Sequence, residues 1–191
     1  WRFLAASAEN VDRVLDDGVS LVISQSPVEH FRNDVTFFEL LADRLQRPGR
    51  RSLQIHLLRP QSMWRQWGPH GYRGYNEYNI ARVVEPYRSG SQCRLIVLGG
   101  PASNRVHRTH IRDYASRFMG RRVKDVRSRQ PEAYTTALTE AIVADANGRE
   151  RVGVREASFV ALVIETGLDG PIPFETRCLR AARRADFARD R

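Results

Sequence analysis

Long apolar runs are missing from this sequence. None approaches the roughly 20 residues that cross a bilayer, the longest being short segments such as Ser158 to Ile164. No membrane span is therefore expected. Cysteine is scarce: Cys93 and Cys178 lie far apart in the chain and could form at most one bridge, without metal-ligand spacing. Two unpaired thiols are the expectation. Lysine is scarcer still, Lys124 being the only one although Lys and Arg together number 31. Neither Gly-x-Gly-x-x-Gly nor the P-loop pattern ending in Gly-Lys-Ser/Thr occurs, so a standard dinucleotide or nucleoside triphosphate fingerprint is excluded and no motif calls for a cofactor. There is no internal repeat. The chain opens on Trp1 instead of a methionine, as a processed form or an excerpt would, and leaves the compartment open.

What is present fits a globular protein. With 191 residues, 41% hydrophobic and 28% charged, the chain is long enough to bury a sizeable core as a single domain, 1–191, with a C-terminal appendage from about residue 121 as the alternative. The formal charge of +9 favours anionic partners such as phosphates or nucleic acid. The plainer account is compositional: arginine has replaced lysine almost throughout, as a GC-rich coding sequence would arrange.

The pattern of short β-branched runs alternating with amphipathic stretches reads as α/β. Val19 to Ser24 and Ser52 to Leu58 are apolar enough for buried strands, closed by turns at Asp17-Gly18 and Arg59-Pro60. Between them Val35, Phe38, Leu41 and Leu45 recur at helical spacing, with Asn33 or Asp34 as cap and Pro48-Gly49 as stop. Residues 60–75 hold Trp64, Trp67, Tyr72 and Tyr75 without a period and read as a long loop. Asn76 can cap a helix built on Ile80, Val83 and Val84, and Arg94 to Leu98 supplies a third strand. Ile111, Tyr114, Ala115 and Phe118 give the strongest helical stripe. Pro131 fits the first turn of a further helix, and Ser158 to Ile164 a fourth strand. Together these predict a three-layer, flavodoxin-like fold: a mainly parallel sheet of about four or more strands flanked by helices.

In such sheets ligands bind beyond the carboxyl ends of the strands. The segment Gly99-Gly100-Pro-Ala-Ser-Asn-Arg-Val-His-Arg-Thr-His110 falls there. Gly99 and Gly100 permit close backbone approach, Ser103 can donate hydrogen bonds, and Arg105 and Arg108 bring positive charge to a helix start, so a phosphate or nucleotide cradle is one reading. A plain turn, with Asn104 capping the next helix, is the other. His107 and His110, three apart, lack a convincing third ligand for a metal. A hydroxyl from Ser24 or Ser26 after the first strand could meet His107 or His110 after the third, giving a nucleophile and its base. Trp64 and Trp67 could wall a sugar or base beside them, or cover the core.

The order of these elements resembles the middle of SGNH/GDSL-type hydrolases, including polysaccharide O-acetylesterases, over roughly residues 18–118. The resemblance rests on an apolar strand, a loop with Asn33-Asp34, the helix Val-Thr-Phe-Phe-Glu-Leu-Leu-Ala-Asp-Arg-Leu, and a strand ending in Arg59-Pro60. It implies an esterase acting on an acylated carbohydrate or similar small molecule. The family's Asp-x-x-His motif would map onto Asn104-Arg-Val-His107, with asparagine at the acid position. The family's Gly-Asp-Ser nucleophile would precede Val19 and is absent from the chain. An esterase-like domain, catalytically incomplete in these residues, is therefore the leading expectation. A phosphate-binding module using Gly99 to Arg108 is the alternative. A third is non-specific nucleic-acid binding through Arg121, Arg122, Lys124, Arg127, Arg129 and the C-terminal arginines, which would weaken as salt rises.

Overall fold

A computed structural model of the chain describes residues 7–25, 27–47, 49–61, 71–87, 91–110, 130–147 and 152–167. After a short 3-10 turn, Ala8–Asn10, the elements in chain order are α1 (Val11–Val14), β1 (Leu21–Gln25), the 3-10 turn Val28–His30, α2 (Asp34–Leu45), β2 (Ser52–Leu58), α3 (Glu77–Val83), β3 (Ser91–Leu98), α4 (Pro101–His110), α5 (Pro131–Asn147) and β4 (Phe159–Thr166). The four strands form one sheet in the order β1-β2-β4-β3. The chain divides into two compact units: residues 1–58, 75–96 and 161–191, which hold most of the sheet, and residues 59–74 and 97–160, which hold α4 and α5.

Local signals account for most of the element starts. Asn33 caps α2, its Oδ1 accepting from Thr36 N at 3.4 Å, and Asn76 caps α3 by accepting from Asn79 N at 2.9 Å. The apolar stripe of α2 is inside: Phe38, Leu41 and Leu45 are all buried. Its neighbour Phe37 packs against Phe38 at 5.3 Å between ring centroids. Both phenyl rings stand edge-on to the His56 imidazole, so α2 covers the face of β2 that carries Ser52, Gln54, His56 and Leu58. On that face a hydrogen-bonded pair, Ser52 Oγ to Thr166 Oγ1 at 2.7 Å, fastens the start of β2 to the end of β4. The opposite face holds Leu21 at 52% exposure and Ile23 at 62%.

β1 and β2 are parallel, with Ser24 opposite His56 and Ile23 opposite Ile55. The expectation of a mainly parallel sheet does not hold, because the sheet is mixed. The reason lies between β3 and β4. One crossover helix returns a chain to its starting level and yields a parallel strand. Among the described residues two helices intervene. Asp145 near the end of α5 meets Gly100 beside the start of α4, while Tyr134 near the start of α5 meets His107 near the end of α4, so the helices run antiparallel. They bring the chain back to the end at which β3 left it. An added Cβ on Gly99, just past β3, would lie 3.0 Å from Ser158 Oγ, just before β4. β4 therefore runs against β3.

A second departure concerns the start of α4. The segment after Gly100 is helical from Pro101 onward, ten residues before the stripe at Ile111 that sequence periodicity marks. Proline suits a first helical position because its missing N–H would be unsatisfied there in any case. The stripe from Ile111 to Phe118, residues 62–70 of the aromatic loop with both tryptophans, and the basic stretch 121–129 lie outside the described residues.

Candidate functional site

Two polar clusters and one isolated carboxylate stand out. The first cluster belongs to the sheet. Parallel register sets Ser24 of β1 beside His56 of β2, and Ser24 Oγ lies 2.8 Å from His56 Nδ1. On the other side of the ring His56 Nε2 is 3.3 Å from Gln54 Oε1, which also accepts from the Tyr87 hydroxyl at 2.9 Å. With Gln54 Oε1 facing it, an oxygen that can only accept, His56 Nε2 carries the imidazole proton and Nδ1 accepts from Ser24, while the Gln54 amide nitrogen is buried without a partner. All four side chains are buried. Burial pulls the His56 pKa from 6.5 down to about 4, raises that of Tyr87, and pushes the neighbouring Cys93 thiol from 9.0 up to about 12.

This cluster has the outline of a nucleophile and its base but not the chemistry. A general base works best with a pKa near the working pH, and His56 is far below it. A catalytic imidazole is also stabilised in its charged form by a carboxylate behind it, whereas Gln54 stands behind this one. The Ser24 hydroxyl is held as a donor to a neutral ring inside the core.

The second cluster joins α4 and α5. Gly99 has φ +70°, the left-handed region where glycine is favoured, and a Cβ there would also press Ser103 Oγ at 2.9 Å. The turn aims the first N–H groups of α4 at the Asp145 carboxylate. Its Oδ2 accepts from Gly100 N at 2.6 Å, Ser103 N at 2.9 Å and Ser103 Oγ at 2.5 Å, and its Oδ1 from Ala102 N at 2.9 Å. Partial desolvation raises the Asp145 pKa, but the Ser103, Ala102 and Gly100 hydrogen bonds outweigh it and hold the carboxyl below its ordinary value. The glycine turn is thus an anion cradle with a side chain of this chain in it.

Asn104 is not a cap. It lies inside α4, where Nδ2 donates to Glu156 O at 2.6 Å and Oδ1 accepts from Ser158 Oγ at 2.9 Å, tying the helix to the segment before β4. The Tyr134 hydroxyl lies 3.0 Å from His107 Nδ1. His110 bonds Val106 O through Nδ1 at 3.0 Å and stacks edge-on to Tyr134. Arg105 is exposed on α4; Arg108 belongs to the same helix, with its side chain outside the described residues, as are Ser26, Trp64 and Trp67.

The isolated carboxylate is Glu29, in the 3-10 turn that follows β1 and contacts β2. It is 2% exposed, and its Oε2 has no hydrogen-bond partner. Nearby in sequence Asp34, also buried, accepts at Oδ2 from the Tyr75 hydroxyl at 2.7 Å. The carboxyl end of the β1–β2 pair thus carries one satisfied acid and one with an orphaned oxygen.

The structure therefore gathers Gly99, Gly100, Ser103 and Asn104 as the sequence suggests, but around Asp145 and Ser158. It pairs Ser24 with His56. The residues that sequence reasoning missed are His56, Asp145, Tyr134 and Glu29. For His56 a signal existed: Ser52, Gln54 and His56 alternate with apolar residues, so one face of β2 had to carry a polar network. Asp145 sits 42 residues from its main partner, Ser103, and left no local trace.

No family model matches the chain, and no curated protein matches its sequence. Among solved structures it is similar to phospholethanolamine N-methyltransferase 2 of Haemonchus contortus in complex with phosphomonomethylethanolamine and S-adenosylhomocysteine. The TM-score is 0.39 at 10% identity, over 81% of this chain and 34% of that one. The chain spans about a third of that protein's length, 34%. A likeness at that score assigns neither fold nor activity.

Proposed function

We propose that this chain is a small-molecule-binding α/β domain whose ligand enters at the carboxyl edge of β1 and β2. The observation that carries the reading is the Glu29 carboxylate, 2% exposed with Oε2 unsatisfied. A polar atom shut away from water without a partner costs about 1–3 kcal/mol, and a bound donor group would remove that cost. The carboxyl ends of parallel strands are also where open sheets place ligands.

Ester hydrolysis by Ser24 has less behind it, since its histidine is a neutral, buried base. A phosphate ligand at Gly99 to Ser103 would have to displace Asp145 from the same donors. The test is a panel of glucose, adenosine and S-adenosylhomocysteine, screened by melting temperature and by amide chemical shifts. A ligand that fits the reading raises Tm and perturbs residues 25–34, and Glu29→Ala removes both effects. Perturbations confined to residues 99–110, or p-nitrophenyl acetate turnover that Ser24→Ala abolishes, would overturn it.

A further inference from the structure

We infer that the group received by Glu29 is a protonated amine, so that the ligand is a small organic cation; this rests on the reading of the β1–β2 edge as the ligand site. A carboxylate withdrawn from water loses far more solvation than a neutral acceptor does, and one hydroxyl donor restores only part of the loss. A positive charge restores most of it. Phe31 lies two residues beyond Glu29, and its ring is 4.8 Å from that of Phe37 and tilted by 54°. Aromatic faces attract ammonium groups. Among the described residues no group of three or more His, Cys, Asp or Glu side chains could hold a metal ion, so an amine fits this site better than a bare cation.

The experiment compares n-butylammonium chloride with 1-butanol at neutral pH, a matched pair in which only the charged head differs. Amide chemical shifts are followed in the wild type, in Glu29→Gln and in Phe31→Leu. The expected result is that butylammonium shifts residues 28–31 in the wild type, that 1-butanol does not, and that Glu29→Gln weakens butylammonium by roughly tenfold or more. Phe31→Leu, which leaves the carboxylate in place, weakens it by about threefold and serves if Glu29→Gln does not fold. Equal binding of both probes, undiminished in Glu29→Gln, overturns the amine and leaves the edge site standing. No perturbation of residues 28–31 by butylammonium also overturns the amine, while glucose and adenosine, the uncharged members of the panel, judge the edge site separately.

Discussion

The sheet and the helix pair solve the same problem in opposite ways. Both bury polar side chains that the strands and turns bring together. In the sheet the groups are neutral: a serine hydroxyl, an uncharged imidazole, an amide and a phenol linked in series at 2.8, 3.3 and 2.9 Å. Between α4 and α5 a charge is used instead, one carboxylate gathering four donors from a glycine turn and a helix start. The difference follows from solvent. A full charge inside the sheet would lose its hydration with no counter-charge to replace it, whereas Asp145 is only half-buried and faces the positive end of a helix dipole. Polar residues that look catalytic in sequence can be the mortar of the core.

The comparison can be broken in several ways, the strongest through pH. In the unfolded chain His56 takes up a proton below about 6.5; in the folded protein it does so only near 4. Between those values the unfolded state binds more protons, so stability rises with pH across that window and levels off above it. The contribution is about 3 kcal/mol, from 2.5 pH units at about 1.36 kcal/mol each. Urea unfolding at pH 4.5 and 7 should show most of this loss on acidification, and a folded His56→Phe variant should lack it. Asp145 adds a loss of the same sign, as its lowered pKa stabilises the fold at neutral pH and ceases to when the pH falls through it.

Next in size is the cap. Asp145→Ala leaves the N–H groups of Gly100, Ala102 and Ser103 without their acceptor and should cost about 1–2 kcal/mol in urea unfolding. It should also create phosphate binding that the wild type lacks, seen as a Tm increase in millimolar phosphate confined to the variant. A wild type stabilised equally by phosphate would show that the cradle is open. Ser24→Ala removes one hydrogen bond to a buried ring and should cost about 1 kcal/mol, with no change in p-nitrophenyl acetate turnover. The smallest effect belongs to Tyr134→Phe, which deletes the hydroxyl beside His107 at the partly exposed helix contact. Its cost should be about 0.5 kcal/mol, measured by the same unfolding curves.

Much of the fold was legible because it is written locally. Ser52 to Leu58 is a strand in sequence and in structure, and the stripe Phe38, Leu41, Leu45 is buried as its spacing requires. Asn33 and Asn76 cap where a short polar side chain precedes a helix. Strand direction was not legible, since the mixed sheet depends on α5 doubling back along α4, a fact of tertiary packing. The candidate site was legible in its glycines and serines and not in its partners. Nothing near Gly99 in sequence announces Asp145, and Ser24 meets His56 only once parallel register is set. Glu29 gave no signal, as a glutamate before a helix reads as an exposed residue until its burial is known.

The Ser24–His56 pair is structural, a neutral element of the core. The most direct measurement is the pH titration of the His56 ring nitrogens by NMR from pH 3.5 to 8. The expected result is a neutral ring with its proton on Nε2 throughout the neutral range, titrating only near 4. A ring that titrates near 6.5, with its tautomer free to exchange, would contradict this, returning Ser24 to the catalytic candidates and adding His56 to them.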